Sequence, residues 1–320
     1  MTNMNTYMST GKILAAFAVF LMLVPAFAVA FSGSANAQVS KPGIIIKTDG
    51  SIEPPSAPIQ RRGDTYVFTD DIRTDGISIQ RAGITLDGAG HTLMGPYNGT
   101  KSEFRIGGGP DQTPPSEPYY MGIDFANNLV SGLAIKNLNI KNFSIAMYLW
   151  TPNNTVTGVS ISKSIVGILL SGNDNTISDN YIADNENGVY FGSNEPGNIP
   201  TGVVLSGNQF VNNIDQLSGC VCVDFNVAET KHTWDNGSRG NYWSDYNGTD
   251  SNGDGIGDTP YVIDVLNEDR YPLMQGAANF PTPTPNINVV VAAAAAVSAI
   301  VAVVAVLVFR RRRQLRKVRG

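Results

Sequence analysis

The chain has 320 residues, 42% of them hydrophobic, with 22 basic residues against 27 acidic and a net charge of −5 at pH 7. That acidic balance argues against nucleic acid as a partner, and two cysteines are too few for a disulfide framework. Asn, Gly, Ser, Thr and β-branched residues abound, a mixture that reads as short strands and many turns, with helix confined to the two ends.

Lys12 precedes an apolar run over 13–30, and Ala35-Asn36-Ala37 fits a small-residue cleavage pattern before Gln38. The spacing predicts a secretory signal peptide over 1–37. The ectodomain that follows keeps 14 cationic and all 27 acidic residues, about −13 at pH 7, because Lys12 and the seven basic residues of 310–320 lie outside it.

An internal repeat of 21 residues organises the middle of the chain. Ile135, Val156 and Ile177 fall in register, as do Ile140, Ile161 and Ile182. Met147, Ile168 and Val189 form a third column, and Leu149, Leu170 and Phe191 a fourth. Asn154 and Asn175 coincide as well, which predicts a stacked turn ladder of amides. Columns of like residues are how the coils of a solenoid bury a continuous core. The strand segments are too short, β-branched and glycine-bounded for helices, so three strands per coil are expected. The predicted fold is all-β, a right-handed parallel β-helix over 38–230, beginning near Gly76 and Gly83. Excursions over 95–120, with Lys101 and Arg105, and over 194–201 interrupt it, as ligand-contacting loops or as caps.

Over 231–277 the repeat gives way to an aromatic, acidic cap with Trp234, Tyr242, Trp243, Tyr246, Tyr261 and Tyr271. Such rings can stack on sugars, but packing over the open end of a solenoid is the preferred reading. Within the cap, Asp250, Asn252, Asp254 and Asp258 occupy positions 1, 3, 5 and 9 of a loop with Gly255 at position 6. With the Ile256 carbonyl, that spacing predicts a structural Ca²⁺ site, incomplete as an EF-hand because Tyr261 stands where the bidentate Glu would be. Just before the cap, Cys220 and Cys222 alternate along a strand and could share a soft metal; a local disulfide or two small buried side chains are the simpler readings. Sequons at Asn98, Asn142, Asn153, Asn236 and Asn247 are potential glycan acceptors in an exported chain.

A Pro-alternating stalk is expected over 278–288. The apolar run over 289–309 is long enough, at 1.5 Å per residue, to cross a bilayer as a helix. Arg310-Arg311-Arg312-Arg313 follow, which places the 310–320 tail in the cytoplasm and the body outside. The expectation is therefore an anchored surface protein.

Several segments carry a resemblance. Gly83-Ile84-Thr85-Leu86-Asp87-Gly88-Ala89-Gly90-His91-Thr92-Leu93 resembles the first coil of the NosD-like β-helix family. Gly240-Asn241-Tyr242-Trp243-Ser244-Asp245-Tyr246 and the later Asp254-Gly255-Ile256-Gly257-Asp258 are similar to the ending of many such proteins, and Asp49-Gly50-Ser51-Ile52-Glu53-Pro54 resembles archaeal surface members. The resemblance implies a β-helix over roughly 44–274, an accessory role in copper-site assembly for the founding member, and carbohydrate-binding and sugar-hydrolase relatives. Copper finds few ligands here: His91 and His232 are the only histidines and methionines are scattered, so no copper is expected apart from the Cys220–Cys222 pair. No catalytic constellation stands out, since Asp174, Asp179 and Asp184 read as turn residues and Lys136 and Lys163 do not align. The expected function is non-catalytic binding of a surface glycan or another envelope component, with a polysaccharide lyase or glycoside hydrolase, and a copper-handling accessory, as alternatives.

Overall fold

The computed structural model describes residues 41–99, 119–192, 200–219 and 230–276. The predicted signal peptide, stalk, span and tail lie outside the described residues, as do Cys220 and Cys222 and most of both excursions. No helix among the described residues is long and apolar enough to cross a membrane.

Three sheets run the length of a parallel β-solenoid of the right-handed type. The first has eight strands, including Ile77–Ile79, Met121–Phe125, Ile145–Leu149, Val166–Leu170, Asn187–Phe191 and Asp215–Gly219; the second and third have seven each. One coil contributes one strand to each sheet, as in Ile145–Leu149, Thr155–Thr157 and Ser160–Ser162. The 21-residue register holds: Ile135 pairs with Val156 and Val156 with Ile177, Ile140 with Ile161 and Ile161 with Ile182, Met147 with Ile168 and Ile168 with Val189. All of these side chains are buried in one continuous core. At the N-terminal end an antiparallel pair, Ile59–Arg62 with Thr65–Phe68, closes the second sheet with exposed Arg61 and Arg62 on the edge strand, where charge discourages further pairing.

The coils turn at three corners. Asn137, Asn142, Asn153, Lys163, Asp174, Asp179, Asp184 and Asn212 sit there with φ between 50° and 63°, the left-handed region that Asn and Asp tolerate best. The three aspartates are thus turn residues. Beside each corner a buried polar side chain stitches one coil to the next. The Asn154 amide N–H donates to Asn175 Oδ1 (2.8 Å), and Asn154 Nδ2 donates to the same oxygen (2.9 Å). A second ladder runs Asn180, Asn208, Asn241, each backbone N–H donating to the next side-chain oxygen, until Asn241 N meets Asp269 Oδ2 at 2.6 Å. A third runs Ser164, Asn185, Asn213.

Candidate functional site

In chain order, residues 100–118 precede Met121–Phe125, and 193–199 and 220–229 follow Asn187–Phe191 and Asp215–Gly219, all of them strands of the first sheet.

The outer face of that sheet is unusual in composition. Alternation along a strand sends Met147 and Leu149 inward and Tyr148 outward, and Tyr148 pairs with Leu169 and Leu169 with Tyr190. Ile145, Ile165, Val166, Leu169 and Tyr190 are buried in a cluster separate from the interior core, with Tyr97, Tyr119, Met121 and Tyr148 partly buried against it. Asp124 lies among them. It follows Ile123, which pairs with Met147, so its neighbour on the next coil is Tyr148. Burial pushes the Asp124 carboxyl up to about 6, against the Phe125 N–H and the Trp150 side chain, which pull it down. Burial likewise raises the Tyr119 and Tyr148 hydroxyls, and the Asp124 charge adds to both shifts. The Trp150 indole N–H donates to the Phe125 carbonyl at 3.0 Å and fixes the ring, whose centroid lies 6.3 Å from that of Tyr148 at an interplanar angle of 33°. None of the ion pairs among the described residues involves Asp124. A carboxyl outside the ion pairs of the described residues, two phenols and a held indole thus lie close together on this face.

The C-terminal end is built differently. Phe210 stacks on Trp243 at 4.4 Å and Trp243 on Tyr261 at 4.3 Å, with Trp234 and Trp243 fully buried. These rings continue the core and close it. Beside them lies a cavity of about 570 Å³ bordered by Lys231, Trp234, Asp235, Asp264, Leu266 and Arg270. Arg270 grips Asp235 through two bonds of 2.9 and 2.7 Å; burial alone would raise that carboxyl, but the Arg270 and Gly237 donors outweigh it and hold it low. His232 is 4% exposed, its Nε2 is 3.0 Å from Thr230 Oγ1, and its buried Nδ1 has no partner among the described residues. Burial depresses the imidazole to about 4, so it is neutral at pH 7.

The predicted Ca²⁺ loop closes on its own amides. Asp250 accepts from the N–H groups of Gly253, Asp254 and Gly255, Asn252 from that of Asp254, and Asp254 from that of Ile256. Asp258 turns back to Ser251 and Thr249, whose donors hold its carboxyl low. Among the described residues no group of three or more His, Cys, Asp or Glu is placed to hold a metal ion. The oxygens that spacing assigned to Ca²⁺ are spent on Asx-type turns, and that expectation is withdrawn. Of the sequon asparagines, Asn98, Asn153, Asn236 and Asn247 are exposed and Asn142 is half-buried at a corner.

Residues 119–248 match the family model described as periplasmic copper-binding protein (NosD). The solenoid is NosD-like. Two curated relatives are similar to parts of the chain, both named probable ABC transporter binding protein NosD. The protein from Stutzerimonas stutzeri is 35% identical over 34% of this chain, and that from Pseudomonas aeruginosa is 30% identical over 46% of it. The chain spans only 23% and 36% of the lengths of these relatives. No solved structure matches it. The match to a copper-binding family overturns the expectation that copper is an unlikely partner, which rested on counting imidazoles and thioethers. The described coils do not by themselves assemble a copper donor set, but Cys220, Cys222 and His232 all fall within the matched span.

Proposed function

We propose that this chain is a NosD-like accessory protein of the cell envelope whose cargo is copper, held by the thiols of Cys220 and Cys222. The observation that carries this reading is the match of 119–248, which spans the regular coils and both cysteines, to a copper-binding family model. Thiolates suit Cu(I), the softest of the common biological copper states. The sequence supports export by the 1–37 leader and anchoring by the 289–309 helix, tail inside, with glycans on the exposed sequons and no nucleic-acid partner for a body of about −13. The test is anaerobic Cu(I) titration against a chromophoric chelator. The wild-type chain should compete for one ion and the double variant Cys220→Ser, Cys222→Ser should not; a wild type that fails to compete sinks the proposal.

A second reading, binding of an envelope glycan without cleavage, is supported by the partly exposed rings of Tyr148 and Trp150, 6.3 Å apart.

A further inference from the structure

We infer that the tip of the cap's hairpin, with Val262, Val265 and Leu266, dips into the lipid bilayer as a second membrane contact beside the span. The inference rests on the anchoring by 289–309 proposed above and adds a lipid-facing surface to it. Tyr261–Val262 pairs antiparallel with Glu268–Asp269, and the turn between them carries aliphatic side chains where turns favour Gly, Asn and Asp. Val262 is 68% exposed, Val265 87% and Leu266 50%, three of the five large hydrophobic side chains exposed among the described residues. The body of the cap holds the hairpin out. Tyr261 stacks on Trp243 at its base, and Asn267 is pinned by the His232 N–H (2.8 Å), the Trp234 indole N–H (3.0 Å) and the Thr230 carbonyl (3.0 Å). The turn also satisfies its own amides. The N–H groups of Ile263 and Asp264 donate to the Asn267 carbonyl, and those of Leu266 and Asn267 to the Asp264 carboxylate. Entering a bilayer interface therefore leaves none of these four donors unpaired. Exposed Lys231, Glu268 and Arg270 border one cavity with Val265 and Leu266, a charged collar at headgroup level behind an apolar tip. Reach and size select lipid over a protein partner. The stretch 277–288, between the described cap and the apolar run, spans about 40 Å at 3.1 Å per extended residue, so the bilayer is always close. Three aliphatic side chains on one turn fall far short of the roughly 800 Å² per partner of a stable protein interface, but a tethered surface is held by contacts too weak to act alone.

The experiment reconstitutes the full chain into phosphatidylcholine vesicles with one fluorophore, on Val265→Cys or, as control, on Leu129→Cys. Cys220→Ser and Cys222→Ser in both leave no other thiol to label. Leu129 is also exposed, at 79%, but follows Met121–Phe125, four strands from the C-terminal edge of the first sheet. Melting curves check that each labelled chain folds. Nitroxide-bearing lipid should quench the Val265 probe about threefold more than the Leu129 probe, aqueous iodide should quench it less, and Leu266→Asp should return it to the control. A chain that alkaline carbonate strips from the vesicles defeats the anchoring and this inference together. A retained chain whose two probes respond alike refutes the tip contact and leaves the anchor standing. A Val265 probe shielded from iodide yet untouched by lipid nitroxide is covered by protein, which refutes lipid as the occupant.

Discussion

Replacing Asp124 by Asn tests the electrostatics of the outer face directly. The ordinary carboxyl value of 3.8 is lifted to about 6 by burial. Between those two values the native chain holds a proton that the unfolded chain has released, so this group makes stability fall as pH rises from about 4 to about 6. At about 1.4 kcal/mol per unit, the ionised carboxylate costs the native state about 3 kcal/mol at pH 7 relative to its protonated form. Asparagine keeps the shape and cannot ionise. Wild type and Asp124→Asn should therefore be close in stability at pH 4, with the variant ahead by about 3 kcal/mol at pH 7. Urea unfolding at four pH values between 4 and 7 measures the gap, and all other titrating groups cancel in the difference. A gap that does not widen with pH would show that Asp124 is solvated in the native state, and the convergence of rings around it would lose its meaning.

Two further substitutions probe the interior. Asn208→Ala removes the acceptor for the Asn180 N–H and the donor to the Ile177 carbonyl (2.8 Å), leaving buried groups unpaired in a fully enclosed corner; a loss of about 3 kcal/mol in urea unfolding is expected. His232, depressed to about 4 from 6.5, gives stability that is complete above pH 6.5 and lost as pH falls toward 4, about 3 kcal/mol in all. His232→Gln should flatten that acid limb in melting curves, and an unchanged limb would place the imidazole in water.

The sequence exposed the solenoid because stacked coils demand the same side chain at the same place: Met147, Ile168 and Val189 meet directly across three coils. The Asn154–Asn175 ladder was visible for the same reason. The ladder through Asn180, Asn208 and Asn241 was not, because its steps are 28 and 33 residues long and a fixed period of 21 passes over them. The readable signal was the recurring Asn-x-apolar triplet at Asn180-Tyr181-Ile182, Asn208-Gln209-Phe210 and Asn241-Tyr242-Trp243. The outer face escaped notice because Val166–Leu170 is buried at every position, which hides alternation from any pattern search. The acidic loop misled in the opposite way. Spacing alone cannot tell whether Asp250 faces an ion or the N–H groups of its own turn, and here it faces the latter.

The end of the second ladder shows why two buried aspartates of similar appearance should respond to the same substitution with opposite sign. An asparagine within the ladder both accepts from one coil and donates to the next, but the last rung meets only donors. Asp269, fully buried, receives the Asn241 N–H (2.6 Å), the Trp243 indole N–H (2.9 Å) and the Tyr271 N–H (3.1 Å). Gly240 is required beside it, since a Cβ there would collide with the carboxylate. Burial raises this carboxyl as it does that of Asp124, yet the surrounding donors oppose the shift and the site is shaped for an acceptor alone. Asp269→Asn removes a buried charge but turns an amide NH₂ toward the Tyr271 or Asn241 N–H, donor against donor. A loss of about 2 kcal/mol is expected at pH 7, against a gain for Asp124→Asn under the same conditions. Equal signs for the two variants would mean that burial, and not the direction of the surrounding dipoles, decides what each carboxylate contributes.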